Sequence, residues 1–173
     1  MDPWRPNLDW LTEDLAVGGS FPAGRAARLE REHGVGAVID VRVETCDDAA
    51  ELAAWGQRFL HLPTQDQCGV SQRMLDLGVA FAREARAERR RLLVHCEHGI
   101  GRSAIVAFCI LADRGLAPMD ALILAKDARE KVSPSEAQFR AWTTWLRRSI
   151  PGAAIPSYHE FGCVAYRHLA APA

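Results

Sequence analysis

The sequence predicts an α/β fold: a short, mostly parallel central sheet flanked by helices, with a helical C-terminal half. In the first half of the 173-residue chain, short apolar runs alternate with longer segments of helical periodicity. The run at 37–41 is apolar at almost every position, which is typical of a strand buried on both faces. From residue 102 onwards the periodicity is helical. Strands alternating with helices and followed by a run of helices favour a layered α/β sandwich.

The strands are predicted from short apolar runs bounded by glycine, proline or polar residues. They cover residues 14–19, 37–41, 59–62 and 92–95. The first is closed by Gly18 and Gly19. Residues 1–12 are rich in Pro and Trp and are expected to form an irregular lead-in, and residues 63–70 are expected to form a loop.

The helices are predicted from apolar periodicity together with start and stop signals. They cover residues 22–33, 47–55, 71–90, 102–114, 118–129, 134–146 and 158–169. Gly34 is placed as a C-terminal stop, and the pairs Ser133/Glu136 and Ser157/Glu160 have the spacing of capping boxes. The long helix at 71–90 is expected to turn one set of side chains to the core: Met74, Leu77, Val79, Ala80 and Phe81.

Composition indicates one domain with a substantial core. Hydrophobic residues make up 49% of the chain, and the formal net charge of -1 gives no reason to expect nucleic-acid binding. No stretch has the length of a membrane span, and residues 1–5 do not resemble a secretory signal. The five cysteines have no metal-like spacing, so no metal site is expected and a reducing, cytoplasmic location is favoured.

Residues 95–103 form the most informative stretch, His-Cys-Glu-His-Gly-Ile-Gly-Arg-Ser. It lies between a predicted strand and a predicted helix, where backbone N–H groups and the helix dipole make an anion site. Arg102 offers a planar fork of donors that matches phosphate oxygens. Cys96 would lie at the base of the same cradle, where the pKa of a thiol can fall from ~8.5 to roughly 3.5–7.5. The pattern indicates a thiolate nucleophile directed at phosphorus.

The run from Cys96 to Arg102, with Ser103 behind it, resembles the Cys-x5-Arg-Ser/Thr signature of the protein tyrosine phosphatase superfamily. The preceding Val94-His95 and the glycines at 99 and 101 are most similar to its dual-specificity branch. The resemblance extends from about residue 13 to 148. It implies a dual-specificity-phosphatase-like catalytic domain over residues 1–150, and residues 151–173 are expected to be a short linker and a C-terminal helix packed on that domain.

The resemblance also implies roles for the residues of this stretch. Cys96 would be the nucleophile, and Arg102 would hold the phosphate together with the loop. The loop positions are Glu97, His98, Gly99, Ile100, Gly101 and Arg102. Ser103 would hydrogen-bond the cysteine sulfur and ease its departure, although an ordinary serine in a first helical turn is also compatible. His95 would support the loop as a scaffold residue, and simple packing at a strand end is almost as good an interpretation.

The family's proton donor is an aspartate on a loop upstream of the signature. Asp66 matches the Pro-x-x-Asp arrangement at 63–66 and directly follows a predicted strand. An aspartate that caps a turn is the alternative interpretation. Asp47 and Asp48 are weaker candidates, since they lie where a helix N-cap is expected.

Further cysteines and a run of arginines lie outside this motif. Cys46 and Cys68 are possible redox partners of Cys96, although spare cysteines are the commoner case. Cys109 is expected to be core. Residues 89–91, three consecutive arginines, form either a solvated helix end or a basic rim that attracts phosphorylated protein.

The expected activity is therefore hydrolysis of phosphotyrosine and phosphoserine/phosphothreonine in proteins through a phosphocysteine intermediate, without cofactors. The chain has only Tyr158 and Tyr166, so it lacks the upstream tyrosine that builds a deep pocket in tyrosine-specific members. A phosphoinositide, a nucleotide or an RNA 5′-end is the alternative substrate, although the loop contains no lysine for a lipid headgroup. A phosphate-binding pseudophosphatase adaptor is less favoured, because cysteine, arginine and acid are all present. The expected partner is a phosphorylated protein or peptide, with no nucleic acid or membrane, and the chain is expected to be a monomer.

Overall fold

A five-stranded sheet forms the centre of the computed structural model, which describes residues 4–170. The strands are β1 (Leu8–Trp10), β2 (Leu15–Gly18), β3 (Val35–Arg42), β4 (Arg58–Thr64) and β5 (Arg91–His95). Their order across the sheet is β1-β2-β5-β3-β4, with β1 antiparallel at one edge and the other four parallel. The predicted fold class, a mostly parallel α/β sandwich, is confirmed.

Helices cover both faces of the sheet. They are α1 (Ala26–His33), α2 (Ala49–Ala54), α3 (Gln72–Ala87), α4 (Arg102–Asp113), α5 (Pro118–Ala128), α6 (Glu136–Ser149) and α7 (Tyr158–Ala165), followed by a 3-10 turn at Arg167–Leu169. Helices α1 and α2 pack on the smaller core, and α3 to α7 enclose the larger one. Strand β5 contributes side chains to both cores, because Leu92 and Val94 face the larger cluster and Leu93 faces the smaller.

Helix α4 is the central helix of the larger layer and is surrounded by α3, α5 and α6. Every residue from 102 to 112 is buried, which explains why its sequence is apolar around the whole circumference. Its N-terminus faces the loop that follows β5, so the positive end of its dipole is fixed at that loop.

The N-terminal lead-in contains a strand that the sequence reasoning missed. Residues 8–10 pair antiparallel with β2, so the prediction of irregular structure over 1–12 is wrong there. The strand is only three residues long, too short for a periodic pattern to reveal it. Residues 1–3 lie outside the described part of the chain.

Two helix predictions need correction. Helix α1 begins at Ala26 and not at 22, since Gly24 has a left-handed φ of 82° and its N–H bonds the Glu51 carboxylate. In α3, Leu77 and Ala80 face solvent. The core face consists of Leu75, Gly78, Val79, Phe81, Ala82 and Ala85. It includes the predicted Val79 and Phe81, and the predicted Met74 packs partly buried against it.

The capping box of α6 lies two residues later than predicted. The Ser135 hydroxyl accepts the Gln138 N–H, and Gln138 Oε1 accepts the Ser135 N–H. Pro134 therefore precedes the cap and does not open the helix. The Ser157/Glu160 box of α7 is present as predicted, but the α-helix ends at Ala165. Over residues 4–170, no helix combines the length and apolar character needed to cross a bilayer.

Candidate active site

The predicted site residues gather at the carboxyl edge of the sheet, where parallel strands end side by side. The 96–102 loop follows β5, the central strand, and leads into α4. Glu44 lies two residues after β3, and Asp66 lies two residues after β4. Ligand sites of open parallel sheets are typically formed at this edge. The strand order thus explains how residues far apart in sequence meet.

The loop is held from outside through its carbonyl groups. Four consecutive carbonyls accept bonds from beyond the loop. The donors are the Ser20 N–H to Glu97 (3.0 Å), the Arg129 guanidinium to His98 (2.9 Å) and Gly99 (2.8 Å), and the Ser133 N–H to Ile100 (3.0 Å). Because these carbonyls point outwards, the N–H groups of the loop converge inwards and form an anion-binding nest.

Both loop glycines are required by close approach. Gly99 has φ 68°, and a Cβ there would lie 2.5 Å from the Gly18 carbonyl and from the Arg129 guanidinium. A Cβ on Gly101 would collide with the Gln138 amide. The glycines that marked the loop in the sequence therefore allow Arg129 and Gln138 to pack against it.

The Cys96 thiol lies buried at the base of this nest. Its Sγ accepts the Gly99 N–H at 3.3 Å and lies 3.4 Å from the Ser103 hydroxyl. Burial raises the pKa of a thiol, but hydrogen bonds from the Ser103 hydroxyl and from nearby backbone N–H groups outweigh it, so the pKa of Cys96 falls below its ordinary value. The arrangement stabilises a thiolate.

Arg102 is almost fully buried and is oriented by Glu44, which sequence reasoning missed. The two carboxylate oxygens of Glu44 accept one bond each from the guanidinium, both at 2.7 Å, and the Thr64 carbonyl accepts another at 2.8 Å. The Arg102 hydrogen bond lowers the pKa of Glu44 to about 2. Within residues 4–170 no acceptor is aligned with Arg102 Nε, so this donor remains available to a phosphate oxygen.

Asp66 lies at the tip of a tight turn closed by the Cys68 N–H to Gln65 carbonyl bond. Its carboxylate is 60% exposed, and its Oδ1 is 3.4 Å from Arg102 Nε, close enough for an ion pair but too poorly aligned for a hydrogen bond. Asp66, Cys96 and Arg102 line one pocket. The structure thus brings the predicted acid, nucleophile and phosphate-binding arginine together.

His95 lies behind the loop, outside that pocket. Its Nε2 is 2.6 Å from the Asp47 carboxylate, and its Nδ1 is 3.3 Å from the Cys96 carbonyl. Asp47 also pairs with Arg42, and it is therefore directed away from the pocket. Asp48 caps α2, as expected for one of the two aspartates. This placement leaves Asp66 as the aspartate beside the nucleophile.

Glu97 belongs to the same buried network and points away from the pocket. Its carboxylate pairs with Arg42 at 3.3 Å and accepts the Ser20 hydroxyl at 3.2 Å. Arg42 in turn binds Asp40. Sequence reasoning did not find this network, because its members come from three separate strand ends and no local motif joins them.

The accessory residues are placed as follows. All five cysteines are free, and burial raises the pKa of Cys109 well above its usual value, as expected of a core thiol. Burial, followed by two neighbouring carboxylates, raises the pKa of Cys46. Residues 89–91 do not form a rim of the site, since Arg91 opens β5 at the opposite edge of the sheet and binds the carbonyls of residues 13 and 33.

Comparison with curated proteins gives relatives of one kind. Dual specificity protein phosphatase 8 of Mus musculus is 34% identical over 80 residues, 45% of this chain and 12% of that protein. Dual specificity protein phosphatase 12 of the same species is 35% identical over 103 residues, 58% of this chain and 30% of that protein. The chain therefore spans less than a third of the length of either relative.

Solved structures share the fold. PTPMT1 in complex with PI(5)P superposes with a TM-score of 0.76 at 22% identity, covering 82% of this chain and 95% of that one. The active form of Tk-PTP gives 0.75 at 23%, covering 83% and 98%. Human DUSP28 gives 0.70 at 23%, covering 86% and 98%.

The decisive match is to a domain family. The profile described as "Dual specificity phosphatase, catalytic domain" matches residues 19–148, which include the whole carboxyl-edge pocket. The chain belongs to the dual specificity phosphatase family of the protein tyrosine phosphatase superfamily.

Proposed function

We propose that this phosphatase is a cysteine-dependent hydrolase that removes phosphate from phosphotyrosine and phosphoserine/phosphothreonine in proteins. The observation that carries the proposal is the nest around Cys96: a buried sulfur bonded by the Gly99 N–H, with Arg102 Nε, which has no aligned acceptor among the described residues, in the same pocket. A dianionic phosphoryl group fits between converging N–H donors and a guanidinium.

The first step is attack on phosphorus. The Cys96 thiolate forms an S–P bond as the ester P–O bond breaks, and Arg102 and the loop N–H groups hold the equatorial oxygens. Asp66 transfers its proton to the departing oxygen. Its place at the exposed mouth of the pocket supports this role, because the leaving group must extend towards solvent.

The second step regenerates the enzyme. Asp66, now a carboxylate, takes a proton from water as the water oxygen attacks phosphorus and the S–P bond breaks. Inorganic phosphate and the Cys96 thiolate are the products. The Ser103 hydroxyl, 3.4 Å from Sγ, stabilises the returning thiolate.

The charges at the pocket favour a single phosphoryl group. Among the described residues that line it, Arg102 is the one permanent cation, and Asp66 adds a carboxylate at the mouth. A second phosphate on an inositol headgroup or an RNA 5′-triphosphate would find no second lysine or arginine among the described residues of this lining. This supports phosphorylated protein over substrates with several phosphates, such as a polyphosphoinositide or an RNA 5′-triphosphate, and the substrate panel must separate it from nucleoside monophosphates.

A panel of substrates tests the proposal. Phosphotyrosine and phosphoserine/threonine peptides, PI(5)P vesicles, nucleoside monophosphates and 5′-triphosphorylated RNA are compared by phosphate release, with Cys96→Ser as the inactive control. We expect the highest kcat/KM on peptides, and a phosphocysteine trapped on Cys96 by rapid denaturation. A preference for PI(5)P or RNA would replace the proposed substrate class. Binding of phosphopeptide without turnover would identify a pseudophosphatase.

A further inference from the structure

Residues 129–135, here called the bracing segment, connect α5 to α6 and contact both catalytic loops. The Arg129 guanidinium binds the Gly99 carbonyl, and the Ser133 N–H binds the Ile100 carbonyl at 3.0 Å. The Ser135 hydroxyl donates to the carbonyl of Gln67, the residue after Asp66, at 2.7 Å. The segment thus fixes the phosphate-binding loop and the Asp66 turn at the same time.

The opposite side of the bracing segment is held by the C-terminal region. The Tyr166 hydroxyl donates to the Pro134 carbonyl at 2.6 Å. Lys126, 1% exposed, donates from Nζ to the Val132 carbonyl at 2.8 Å and to the Ala165 carbonyl at 2.7 Å, with His168 Nδ1 at 2.6 Å. Lys126 thereby ties the segment to the last turn of α7.

The direction of these bonds alternates along the chain. The carbonyls of Val132 and Pro134 face Lys126 and Tyr166, whereas the donors of residues 133 and 135 face the catalytic loops. Loss of a bond on one side therefore frees the same short stretch that supplies the bonds on the other. An unpaired carbonyl in this half-buried setting would move to find a new partner.

Helix α7 is itself firmly anchored. Phe161 is fully buried, with its ring 4.8 Å from that of Phe139 and 6.1 Å from that of Trp142. Burial, followed by the hydrogen bond between the Tyr158 and Tyr166 hydroxyls, raises the pKa of Tyr166, so its phenol keeps the proton that it donates. The family match ends at residue 148, so this anchor lies beyond the matched catalytic domain.

We propose that the C-terminal helix positions both catalytic loops through the bracing segment, with Tyr166 and Lys126 as positioning residues. The proposal rests on the function proposed above for Cys96 and Asp66. Removing the Tyr166 hydroxyl or the Lys126 ammonium then weakens thiolate stabilisation at Cys96 and proton donation by Asp66, although neither residue lines the pocket.

The test compares Tyr166→Phe and Lys126→Met with Tyr158→Phe. The control, Tyr158→Phe, removes the phenol hydroxyl at the start of α7. That hydroxyl contacts the Tyr166 hydroxyl at 3.1 Å and not the bracing segment. Three quantities are measured: kcat on an activated aryl phosphate and on an unactivated alkyl phosphate, the thiol pKa of Cys96 from the pH dependence of iodoacetate alkylation, and the thermal midpoint.

For Tyr166→Phe we expect kcat on the alkyl phosphate to fall by roughly threefold to tenfold, the scale of one hydrogen bond, with a smaller loss on the aryl ester. The thiol pKa should rise, and Tyr158→Phe should keep both values. A lowered thermal midpoint with unchanged kcat and thiol pKa would show that α7 only stabilises the fold and would overturn the proposal. If Lys126→Met does not fold, Tyr166→Phe decides alone. If the parent chain hydrolyses no phosphomonoester, the proposed function fails, and the alkylation comparison still decides this proposal.

Discussion

Replacement of Glu44 by glutamine tests how much the orientation of Arg102 depends on one carboxylate. Glu44 bonds the guanidinium through both oxygens, and this pairing lowers its pKa from 4.5 to about 2. This shift in the pKa of Glu44 corresponds to about 3 kcal/mol between the two protonation states. Because the Glu44 side chain is 42% exposed, solvent screening reduces the contribution of this pair to the free energy of unfolding to about 1–2 kcal/mol.

We expect Glu44→Gln to lower the free energy of unfolding by about 1–2 kcal/mol at pH 7, a fall in Tm of about 2–8 °C for a chain of this size. The pH dependence has a definite sign. The pKa of Glu44 is lower in the folded state, so its contribution is complete above about pH 5 and is lost as the pH falls towards 2. The difference between parent and variant should therefore be constant from pH 7 to 5 and shrink below.

The assay is urea unfolding at several pH values, combined with kcat on an aryl phosphate. We expect kcat to fall by about tenfold, since Arg102 loses its bidentate partner. Glu88→Gln is the matched control: its side chain is 44% exposed and pairs with Arg58, away from the phosphate-binding loop and its pocket. Equal loss of kcat in both variants, or a stability difference that does not shrink below pH 5, would refute the orienting role of Glu44.

Three further predictions concern the nucleophile, the arginine and the acid. Iodoacetate at about pH 6 should alkylate Cys96 and abolish activity, with vanadate protecting, and labelling no faster than at exposed Cys163 would contradict an activated thiolate. Arg102→Lys should be nearly inactive in steady-state kinetics, because a lysine cannot bind both oxygens of Glu44 and also donate an N–H to the phosphate as Arg102 Nε does. Normal turnover would place Arg102 outside the mechanism. Asp66→Asn should lose on the order of 10²–10⁴ in rate on phosphopeptides and much less on acidic phenol esters, with the high-pH limb of the rate profile flattened. An equal loss on every ester would mean that another group donates the proton.

The sheet and helices were predictable where the sequence pattern is local. The apolar runs located β2 to β5, and Gly34 marked the end of α1. Strand β1 was missed because three residues carry no periodicity, and the start of α1 was misplaced because Gly24 takes a left-handed φ. Two of the five residues predicted for the core face of α3, Leu77 and Ala80, are exposed, since alanine and leucine occur on both of its faces.

The residues of the candidate site also fall into two groups: those in a local sequence motif and those identified only by contacts between distant parts of the chain. Cys96, Arg102 and Ser103 are contiguous in one motif, and Asp66 follows a strand, so a sequence pattern was sufficient to find them. Glu44 carries a weaker signal, a carboxylate just past the end of a predicted strand. Arg129 and Gln138 carry none, because their importance comes from contacts with the loop over distances of 30 residues or more along the chain.

The residues that bond the loop carbonyls from outside the motif share one physical role. A nest of inward N–H groups requires the matching carbonyls to point outwards, and each outward carbonyl needs a donor, because an unpaired buried carbonyl costs about 1–3 kcal/mol. Gly99 is the buried one of the four residues, so the cost of leaving its carbonyl unpaired is the largest of the four. Ser20, after β2, and the bracing segment, through Arg129 and Ser133, supply the donors from two separate parts of the chain. The catalytic motif can therefore adopt its anion-binding shape only inside a fold that brings those donors to it.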